Sequence, residues 1–242
     1  MNPFSWWIGL GAVFGLWNLA RNAQPGQAVT RVNSGLVILT ASLVGARLSY
    51  VALGFPYYFT YPLQIIQIWR GGFTWPGAVI AGLISIWLIS RNQKCSFGRA
   101  ADQHVSMLPP LIILTWMGCW QAGCAYGARM PDNILWAFPA VDETGQSLPR
   151  FPVQLIAAML SLDFFWRVES SHLRPDQPGR RASLAGLALF SVLTLVSFLR
   201  ADSAPRLLGL RYDAWLAAVC LVICIGAFII ISQKFEKLSP AN

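Results

Sequence analysis

The stretch from Gly45 to Ser90 constrains the fold of this chain most strongly, because it contains two apolar runs that are each long enough to cross a bilayer. A short loop joins the two runs and ends in Arg70-Gly71-Gly72. Within the runs themselves, the only charged residue is Arg47. A chain in hydrocarbon must satisfy its backbone polar groups internally, so this pattern predicts membrane-spanning helices.

The composition of the whole chain supports the same class. Of the 242 residues, 55% are hydrophobic and only 12% are charged, whereas soluble domains carry about 25% charged residues. One soluble core of this length cannot hide so much apolar surface. The 11 tryptophans lie mostly near predicted span ends, as in an aromatic belt at the headgroup level.

A hydropathy window of about 19 residues predicts seven spans. They are Phe4–Ala20, Ser34–Phe55, Phe73–Ser90, Val105–Gly123, Phe151–Trp166, Ser183–Leu199 and Ala214–Ser232. The fourth span is interrupted by Pro109-Pro110. With no internal repeat in view, we expect residues 1–242 to form a single all-α polytopic membrane domain, a seven-helix bundle. Residues 125–150, rich in Pro, Asp and Gly, are expected to form a cap on the outer surface.

The distribution of Lys and Arg predicts the orientation. Eleven of them follow the odd-numbered spans and six follow the even-numbered ones. The positive-inside rule therefore places the N-terminus outside and the C-terminus in the cytoplasm. The same rule and the attraction of basic loops to anionic headgroups explain the net charge of +8, so the charge is no argument for binding nucleic acid.

Arg47 and the glycine pair Gly71-Gly72 are the first candidate site residues. A charge at the depth of Arg47 is costly unless it is paired or hydrated. Its guanidinium either binds a lipid phosphate, whose geometry it matches, or bonds to loop carbonyls as a structural residue. The glycines allow a tight turn whose N–H groups would face a headgroup, or they form an ordinary turn.

Three polar residues near predicted outer span ends are further candidates. Arg150 and Gln154 open the fifth span, and Arg200 closes the sixth with Asp202 beside it. Each either contacts a lipid headgroup or serves as an interfacial anchor, and for Arg200 the plain alternative is an ion pair with Asp202.

The five cysteines, Cys95, Cys119, Cys124, Cys220 and Cys224, are not expected to form a disulfide framework, because the count is odd and the positions are scattered. Cys119 and Cys124 are five residues apart and share no helix face. His104 lies at the opposite end of the same span, so we expect no metal site. A thiol nucleophile needs a nearby base, and His104 and His172 both fall on the predicted cytoplasmic side.

Several segments together resemble the prolipoprotein diacylglyceryl transferase family over almost the whole chain. Gly45-Ala46-Arg47-Leu48-Ser49-Tyr50 is similar to that family's Gly-Gly-Arg-hydrophobic-Gly-Tyr. The other similar segments are Trp6 to Leu10, Ile68 to Gly77, Gly118 to Gly127, Leu148 to Leu155 and Ser197 to Asp202. The resemblance implies a seven-span enzyme of the bacterial cytoplasmic membrane. Such an enzyme transfers the diacylglyceryl group of phosphatidylglycerol to the lipobox cysteine of a prolipoprotein.

The sequence departs from the family pattern mainly at polar positions. Where the resemblance implies histidine, arginine, asparagine or glutamate, this chain has Pro76, Trp116, Cys119, Ala122, Cys124, Ala157, Leu193 and Ser197. The glycine framework is kept, together with Arg47, Tyr50, Arg150, Gln154 and Arg200. Loss of one preorganised charge partner typically costs about 10²–10³ in rate, so loss of several argues against the same chemistry.

These observations lead to two functional hypotheses. The first is a non-catalytic family member that binds phospholipid and serves as an accessory subunit among other membrane subunits of a larger complex. The alternative is an active phosphatidylglycerol–prolipoprotein diacylglyceryl transferase. In both cases the lipid-binding residues are expected to be Arg47, Tyr50, Gly71, Gly72, Arg150, Gln154 and Arg200. No cofactor is expected, and under the first hypothesis no catalytic residue is assigned.

Overall fold

The computed structural model describes residues 3–142, 144–170 and 177–236, with only the backbone described at residues 70, 235 and 236. His172 and the C-terminal Asn242, which entered the analysis of topology, lie outside the described residues. The helices are α1 Pro3–Arg21, α2 Ala28–Leu53, α3 Phe55–Thr60, α4 Trp75–Asn92, α5 Phe97–His104, α6 Leu108–Ala122, α7 Val153–Ser170, α8 Arg180–Ser197 and α9 Tyr212–Glu236. Short 3-10 turns occupy residues 62–66, 68–70 and 105–107.

Four helical segments within these ranges are long and apolar enough to cross a membrane: Ala28–Leu53, Phe97–Ala122, Arg180–Ser197 and Tyr212–Lys234. Much of their surface is apolar and exposed, as at Leu48, Leu195 and Val222. Such a surface requires apolar surroundings. The predicted helical membrane architecture is confirmed at this level, whereas the count of seven spans stays a prediction.

The long helices pack in a regular order. α2 lies between α1 and α4, α1 contacts α6, and α6, α7, α8 and α9 follow one another as neighbours. The ring of Trp75 at the start of α4 lies 5.9 Å from the ring of Phe190 on α8. α4 and α8 are therefore also in contact at this end of the bundle.

The interruption predicted at Pro109-Pro110 lies instead just before the two prolines, at residues 105–107. A 3-10 turn at residues 105–107 separates α5 from α6, and α6 begins at Leu108 with the two prolines in its first turn. Proline is tolerated there because the N–H groups of a first turn have no intrahelical acceptor.

α2 and α4 touch through two glycines. A Cβ built on Gly77 would overlap the carbonyl of Gly45, and one built on Gly45 would meet the carbonyl oxygen of Gly77 at 2.5 Å. Just above this contact, the N–H of Thr74 donates to the carbonyl of Ala46 at 3.1 Å. Close approach of small residues is a common way for membrane helices to pack, and here it fixes the loop between α2 and α4 above Arg47.

Two hairpins lie in the loops, and the sequence analysis predicted neither. β1 Phe138–Val141 pairs antiparallel with β2 Ser147–Arg150 inside the segment expected to form a cap. β3 Arg206–Leu207 pairs with β4 Leu210–Arg211 between α8 and α9. Pro139 and Pro149 face each other in the first hairpin. Proline fits there because both strands of a two-stranded sheet are edges.

We expect Gly77→Ala to lower the melting temperature of the protein in detergent, because the added methyl pushes apart two backbones that are in contact. Overpacking of this kind costs about 1–3 kcal/mol. The matched control is Gly9→Ala, whose new Cβ has no atom within 4 Å. Equal melting temperatures for Gly77→Ala and Gly9→Ala would contradict the contact between α2 and α4.

Candidate functional site

A cavity of about 590 Å³ opens between the connection from α2 to α4 and the start of α9. One wall comes from the end of α2 and from residues 55–70, which we call the arm. The other wall comes from the loop between α8 and α9. The lining residues are Arg47, Tyr50, Leu53, Gly54, Tyr57, Tyr58, Gln64, Gly71, Gly72, Thr74, Pro205 and Tyr212.

Among the lining residues that the structure describes, Arg47 supplies the cationic group of this cavity. Arg47 as a residue is 6% exposed. Four of the five N–H groups of its guanidinium donate to backbone carbonyls. Nε donates to Ile65 at 3.0 Å and Nη2 to Gln64 at 2.5 Å. Nη1 donates to Gly71 at 2.6 Å and to Gly72 at 3.1 Å. Of the two alternatives for Arg47, bonding to loop carbonyls is therefore present.

One N–H of Arg47 remains for a ligand. Arginine has five N–H donors, and within the described part of the chain the second hydrogen of Nη2 has no protein acceptor. Because the side chain also lines the cavity, its positive charge faces any molecule that enters. Binding of a lipid by Arg47 stays a prediction.

Aromatic rings surround this cation. The guanidinium carbon of Arg47 lies 5.8 Å from the ring centre of Tyr50 and 5.4 Å from that of Tyr58. The two rings meet edge to face at 6.2 Å. Cation–π contacts of this kind attract the guanidinium to the faces of the rings.

The glycine pair is needed for a steric reason. Gly71 and Gly72 have φ values of 82° and 77°, which residues with a Cβ rarely adopt. A Cβ on Gly72 would also lie 2.6 Å from Nη1 of Arg47 and 2.6 Å from the ring of Tyr50. The pair presents carbonyls to Arg47, and the N–H of Gly71 donates to Ile68 at 3.2 Å. That N–H is therefore used within the loop, as in the ordinary turn that was one of the two alternatives, and binding of a headgroup by the glycine pair stays a prediction.

Four charged side chains stabilise the wall of the cavity that lies opposite Arg47. Arg200 donates to both oxygens of Asp202 at 2.8 and 2.6 Å and to Asp213 at 3.0 Å. Arg211 donates to Asp213 at 3.1 Å and to Asp202 at 3.2 Å. The ion pair of Arg200 with Asp202 is thus present, and it belongs to a closed cluster that we call the charge cluster. Its partners Arg211 and Asp213 were not identified from the sequence.

Within the charge cluster, Arg200 and Asp202 both carry their charge. Burial alone would raise the pKa of the Asp202 carboxyl, but hydrogen bonds and charges from Arg200 and Arg211 outweigh burial and hold that pKa below its usual range. For Arg200, burial lowers the pKa of the guanidinium, and the two carboxylates raise it by more. Both groups are charged at neutral pH, so the guanidinium of Arg200 is committed to protein partners.

Arg150 and Gln154 also bond within the protein. Arg150 donates to Asp142 at 2.9 Å and to the carbonyl of Gly127 at 3.3 Å, and its guanidinium lies 4.3 Å from the ring centre of Tyr126. Gln154 is 1% exposed and donates to the carbonyl of Cys124 at 2.9 Å. Neither residue lines the cavity around Arg47, and a lipid-binding role for Arg150, Gln154 and Arg200 stays a prediction.

Cys119 and Cys124 form a disulfide, which the sequence analysis did not predict. The spacing of the two residues was used there only against a metal site, and it was judged along a helix that continues through both of them. Instead α6 ends at Ala122, and Gly123 adopts a left-handed conformation with φ 73° that turns the chain back. The Cα atoms of the two cysteines are then 4.7 Å apart, and the N–H of Cys124 donates to the carbonyl of Cys119 at 3.0 Å.

Four of the eight positions where the sequence departs from the family pattern lie together. Trp116 and Ala157 belong to one buried apolar cluster. Cys119 and Leu193 pack against the same cluster. The polar residues that the resemblance implies at Trp116, Ala157 and Leu193 are thus replaced by mutually packed apolar groups, and the polar cavity of this chain lies around Arg47 instead.

The fold and site define a helical membrane protein with a cavity whose described lining combines Arg47 with several tyrosines. The chain belongs to the prolipoprotein diacylglyceryl transferase family, because the model of that family matches residues 2–231. This confirms the resemblance found in the sequence.

Relatives of the chain carry one and the same name, phosphatidylglycerol–prolipoprotein diacylglyceryl transferase. The relative from Nitratidesulfovibrio vulgaris strain Miyazaki F is 32% identical, over 97% of this chain and 92% of its own length. The relative from Aromatoleum aromaticum is 27% identical, over 76% of this chain and 71% of its own length. One from Neisseria gonorrhoeae is 27% identical, over 79% and 76%.

These relatives overturn the first functional hypothesis. The prediction of a non-catalytic accessory subunit rested on the replaced polar residues, yet proteins similar over nearly the whole chain are named as transferases. The comparisons also give no support to the further membrane subunits that this hypothesis required. The prediction was wrong because it gave the replaced polar positions more weight than the family framework that the chain keeps, including Arg47, Arg150 and Arg200.

We expect iodoacetamide to label three cysteines in the denatured, unreduced protein and all 5 after reduction, because Cys119 and Cys124 are bonded to each other. Intact-mass measurement counts the labels. Cys119→Ser should also lower the free energy of unfolding by about 2 kcal/mol, from the chain entropy of the small loop. Cys95→Ser, which removes a free thiol, is the control. Five labels without reduction would contradict the bond.

Proposed function

We propose that this protein is a phosphatidylglycerol–prolipoprotein diacylglyceryl transferase of the bacterial cytoplasmic membrane. The observation that carries the proposal is the cavity around Arg47 in a chain that belongs to this family. Relatives named for this activity match nearly the whole chain. The phospholipid partner expected from the sequence is then phosphatidylglycerol, and the second substrate is a prolipoprotein.

The proposed reaction is a substitution at carbon. The sulfur of the lipobox cysteine attacks the glyceryl carbon that carries the phosphate ester, a C–S bond forms, and the C–O bond to phosphate breaks. The diacylglyceryl group ends on sulfur, glycerol phosphate leaves with the electron pair of the broken bond, and the thiol proton passes to solvent. Atoms and charge balance without a cofactor.

Arg47 is the residue that we assign to the phosphate. Its remaining N–H and its charge favour a phosphate oxygen, and that interaction strengthens as negative charge grows on the leaving group. Four carbonyls already hold the guanidinium in place, so little reorganisation accompanies the reaction. Tyr50, Gly71 and Gly72 shape the pocket around it.

We assign a supporting role to the other predicted site residues. Arg150 and Gln154 hold the segment after α6 through the carbonyls of Gly127 and Cys124. That segment in turn meets the loop after α8, because the N–H of Ala201 donates to the carbonyl of Tyr126 at 2.8 Å. Through these bonds, Arg150, Gln154 and Arg200 fix the wall of the cavity that faces Arg47.

Among the described lining residues, no carboxylate or imidazole is present to accept the proton of the thiol. Arginine does not accept a proton at working pH. A nearby positive charge lowers the pKa of a thiol. We therefore assign to Arg47 a second effect, which is to stabilise the thiolate of the incoming peptide.

The proposal includes the topology inferred from the sequence: seven spans in a single domain, the N-terminus outside, the C-terminus in the cytoplasm, and residues 125–150 as an outer cap. The disulfide at the end of α6 supports this orientation, because disulfides persist in oxidising compartments. Cys119 and Cys124 lie on the side predicted to be outside, and the free thiol of Cys95 lies in a loop predicted to be cytoplasmic.

The purified protein should add a diacylglyceryl group to a lipobox peptide when it is supplied with phosphatidylglycerol, as read by the mass of the peptide. We expect Arg47→Ala to lower the rate by about 10²–10³, the usual effect of removing one preorganised charge from such a site. Arg167→Ala is the matched control, because its guanidinium is exposed and pairs with Asp163. A peptide with serine in place of the lipobox cysteine reports any reaction that is not on sulfur.

Arg47 also supports the arm, so each variant is first checked for correct folding. The checks are its melting temperature and the number of cysteines that iodoacetamide labels without denaturation, both compared with the wild-type protein. A folded wild-type protein that yields no adduct in phosphatidylglycerol micelles would refute the transferase. Full activity in a folded Arg47→Ala variant would refute the assignment of the phosphate to Arg47.

The rate of transfer should rise with pH, close to tenfold per unit below the pKa of the peptide thiol, and level off above it. The thiolate is the nucleophile, and the ordinary thiol pKa is about 8.5 before Arg47 lowers it. A selenocysteine peptide, whose selenol ionises at lower pH, should move the whole profile to lower pH. A profile that stays fixed with the selenol peptide would mean that a group on the enzyme, and not the nucleophile, is titrating.

A further inference from the structure

The wall of the cavity opposite Arg47 contains a group that the family resemblance did not point to. We propose that the hydroxyl of Tyr212 binds the headgroup of the lipid and selects a headgroup that carries hydroxyl groups. This inference rests on the proposed function, since it names a specificity residue for the same cavity. Tyr212 and Pro205 are the lining residues that come from the loop between α8 and α9 and from the start of α9.

The backbone of Tyr212 is held unusually firmly. Its N–H donates to the carbonyl of Pro205 at 3.0 Å, which ties the two lining residues together. Its sequence neighbours Arg211 and Asp213 are each 6% exposed and belong to the charge cluster. Because both sequence neighbours of Tyr212 form buried ion pairs, the backbone position from which its side chain extends is fixed. Such support preorganises a specificity contact.

The hydroxyl of Tyr212 is available to a ligand. Among the residues that the structure describes, the hydroxyls of Tyr50, Tyr58 and Tyr212 have no hydrogen-bond partner, whereas that of Tyr57 donates to Oε1 of Gln64 at 2.7 Å. Tyr50 and Tyr58 lie with their rings against Arg47. Tyr212 comes from the other wall and therefore contacts a different part of any molecule between the two.

The chemistry of the lining decides which headgroup fits. A phosphate on Arg47 places the far end of the headgroup toward the wall that carries Tyr212. A glycerol headgroup offers hydroxyls that both accept from and donate to a phenol. An ethanolamine headgroup ends in an ammonium, which can donate hydrogen bonds but cannot accept one from the phenol. No carboxylate lies among the lining residues to balance the charge of the ammonium. Tyr212 thus favours the glycerol headgroup over the ethanolamine headgroup.

The test compares Tyr212→Phe with Tyr61→Phe in the full-length protein. Tyr61 belongs to the arm, is exposed, and does not line the cavity, so the control makes the same substitution outside the site. Two readouts are taken: KM and kcat for phosphatidylglycerol, and the rise in melting temperature given by micelles of phosphatidylglycerol or phosphatidylethanolamine. We expect Tyr212→Phe to raise KM roughly 3- to 10-fold, the effect of one lost hydrogen bond, with kcat kept within about twofold.

Phosphatidylglycerol should raise the melting temperature of the wild-type protein more than phosphatidylethanolamine does. This difference between the two lipids should shrink in Tyr212→Phe and stay unchanged in Tyr61→Phe. An unchanged KM and an unchanged lipid preference in Tyr212→Phe would overturn the contact. If the wild-type protein makes no adduct, but its preference between the two lipids is lost in the Tyr212→Phe variant, then the transferase proposal is refuted and the headgroup contact is supported. Equal stabilisation of the wild-type protein by both lipids would overturn the selectivity, whatever the outcome of the activity assay.

Discussion

Arg47 cannot remain unpaired inside a bundle of apolar helices, and the way in which it is paired shapes the rest of the cavity. The cost of a cation at this depth is several kcal/mol. Four carbonyls from the arm and from the glycine pair offset it. To bring those carbonyls around one guanidinium, the chain changes from α-helix to short 3-10 turns between α3 and α4 and then passes through two glycines with positive φ. The close contact of Gly45 with Gly77 then holds this loop directly above the arginine.

The two walls of the cavity are stabilised in different ways. On the Arg47 side, one charge is surrounded by neutral carbonyls and aromatic rings, so net positive charge remains and faces the cavity. On the Tyr212 side, two arginines and two aspartates neutralise one another, so that wall is rigid but carries little net charge. An anion is therefore attracted to one wall only, and the neutral part of the same molecule is left for the other.

Much of this arrangement follows from local features of the sequence. The helical spans follow from apolar length, the break before α6 from two prolines, and the burial of Arg47 from its position inside a span. The partners of Arg47 were left open, since a lipid phosphate and a loop carbonyl satisfy a guanidinium equally well on paper. The ion pair of Arg200 with Asp202 was weighed because the two residues are neighbours in the sequence, whereas Arg211 and Asp213 join it only through the short hairpin of β3 and β4. An Arg-Tyr-Asp triplet at the start of a span was the available signal.

The disulfide and the function were missed for related reasons. The spacing of Cys119 and Cys124 was judged along a continuous helix and only against a metal site, whereas Gly123 ends the helix and brings the two sulfurs together. The functional hypothesis compared positions one by one with the family pattern, while relatives named as transferases match the chain as a whole.

The carbonyls that satisfy Arg47 lie 17 to 25 residues further along the chain, and this has a consequence for biogenesis. All of these partners follow α2 in the chain, so α2 inserted by itself would hold an arginine with none of them. A guanidinium without partners at that depth costs several kcal/mol. Insertion of α2 and α4 as a pair, rather than one after the other, is the route that this loop imposes.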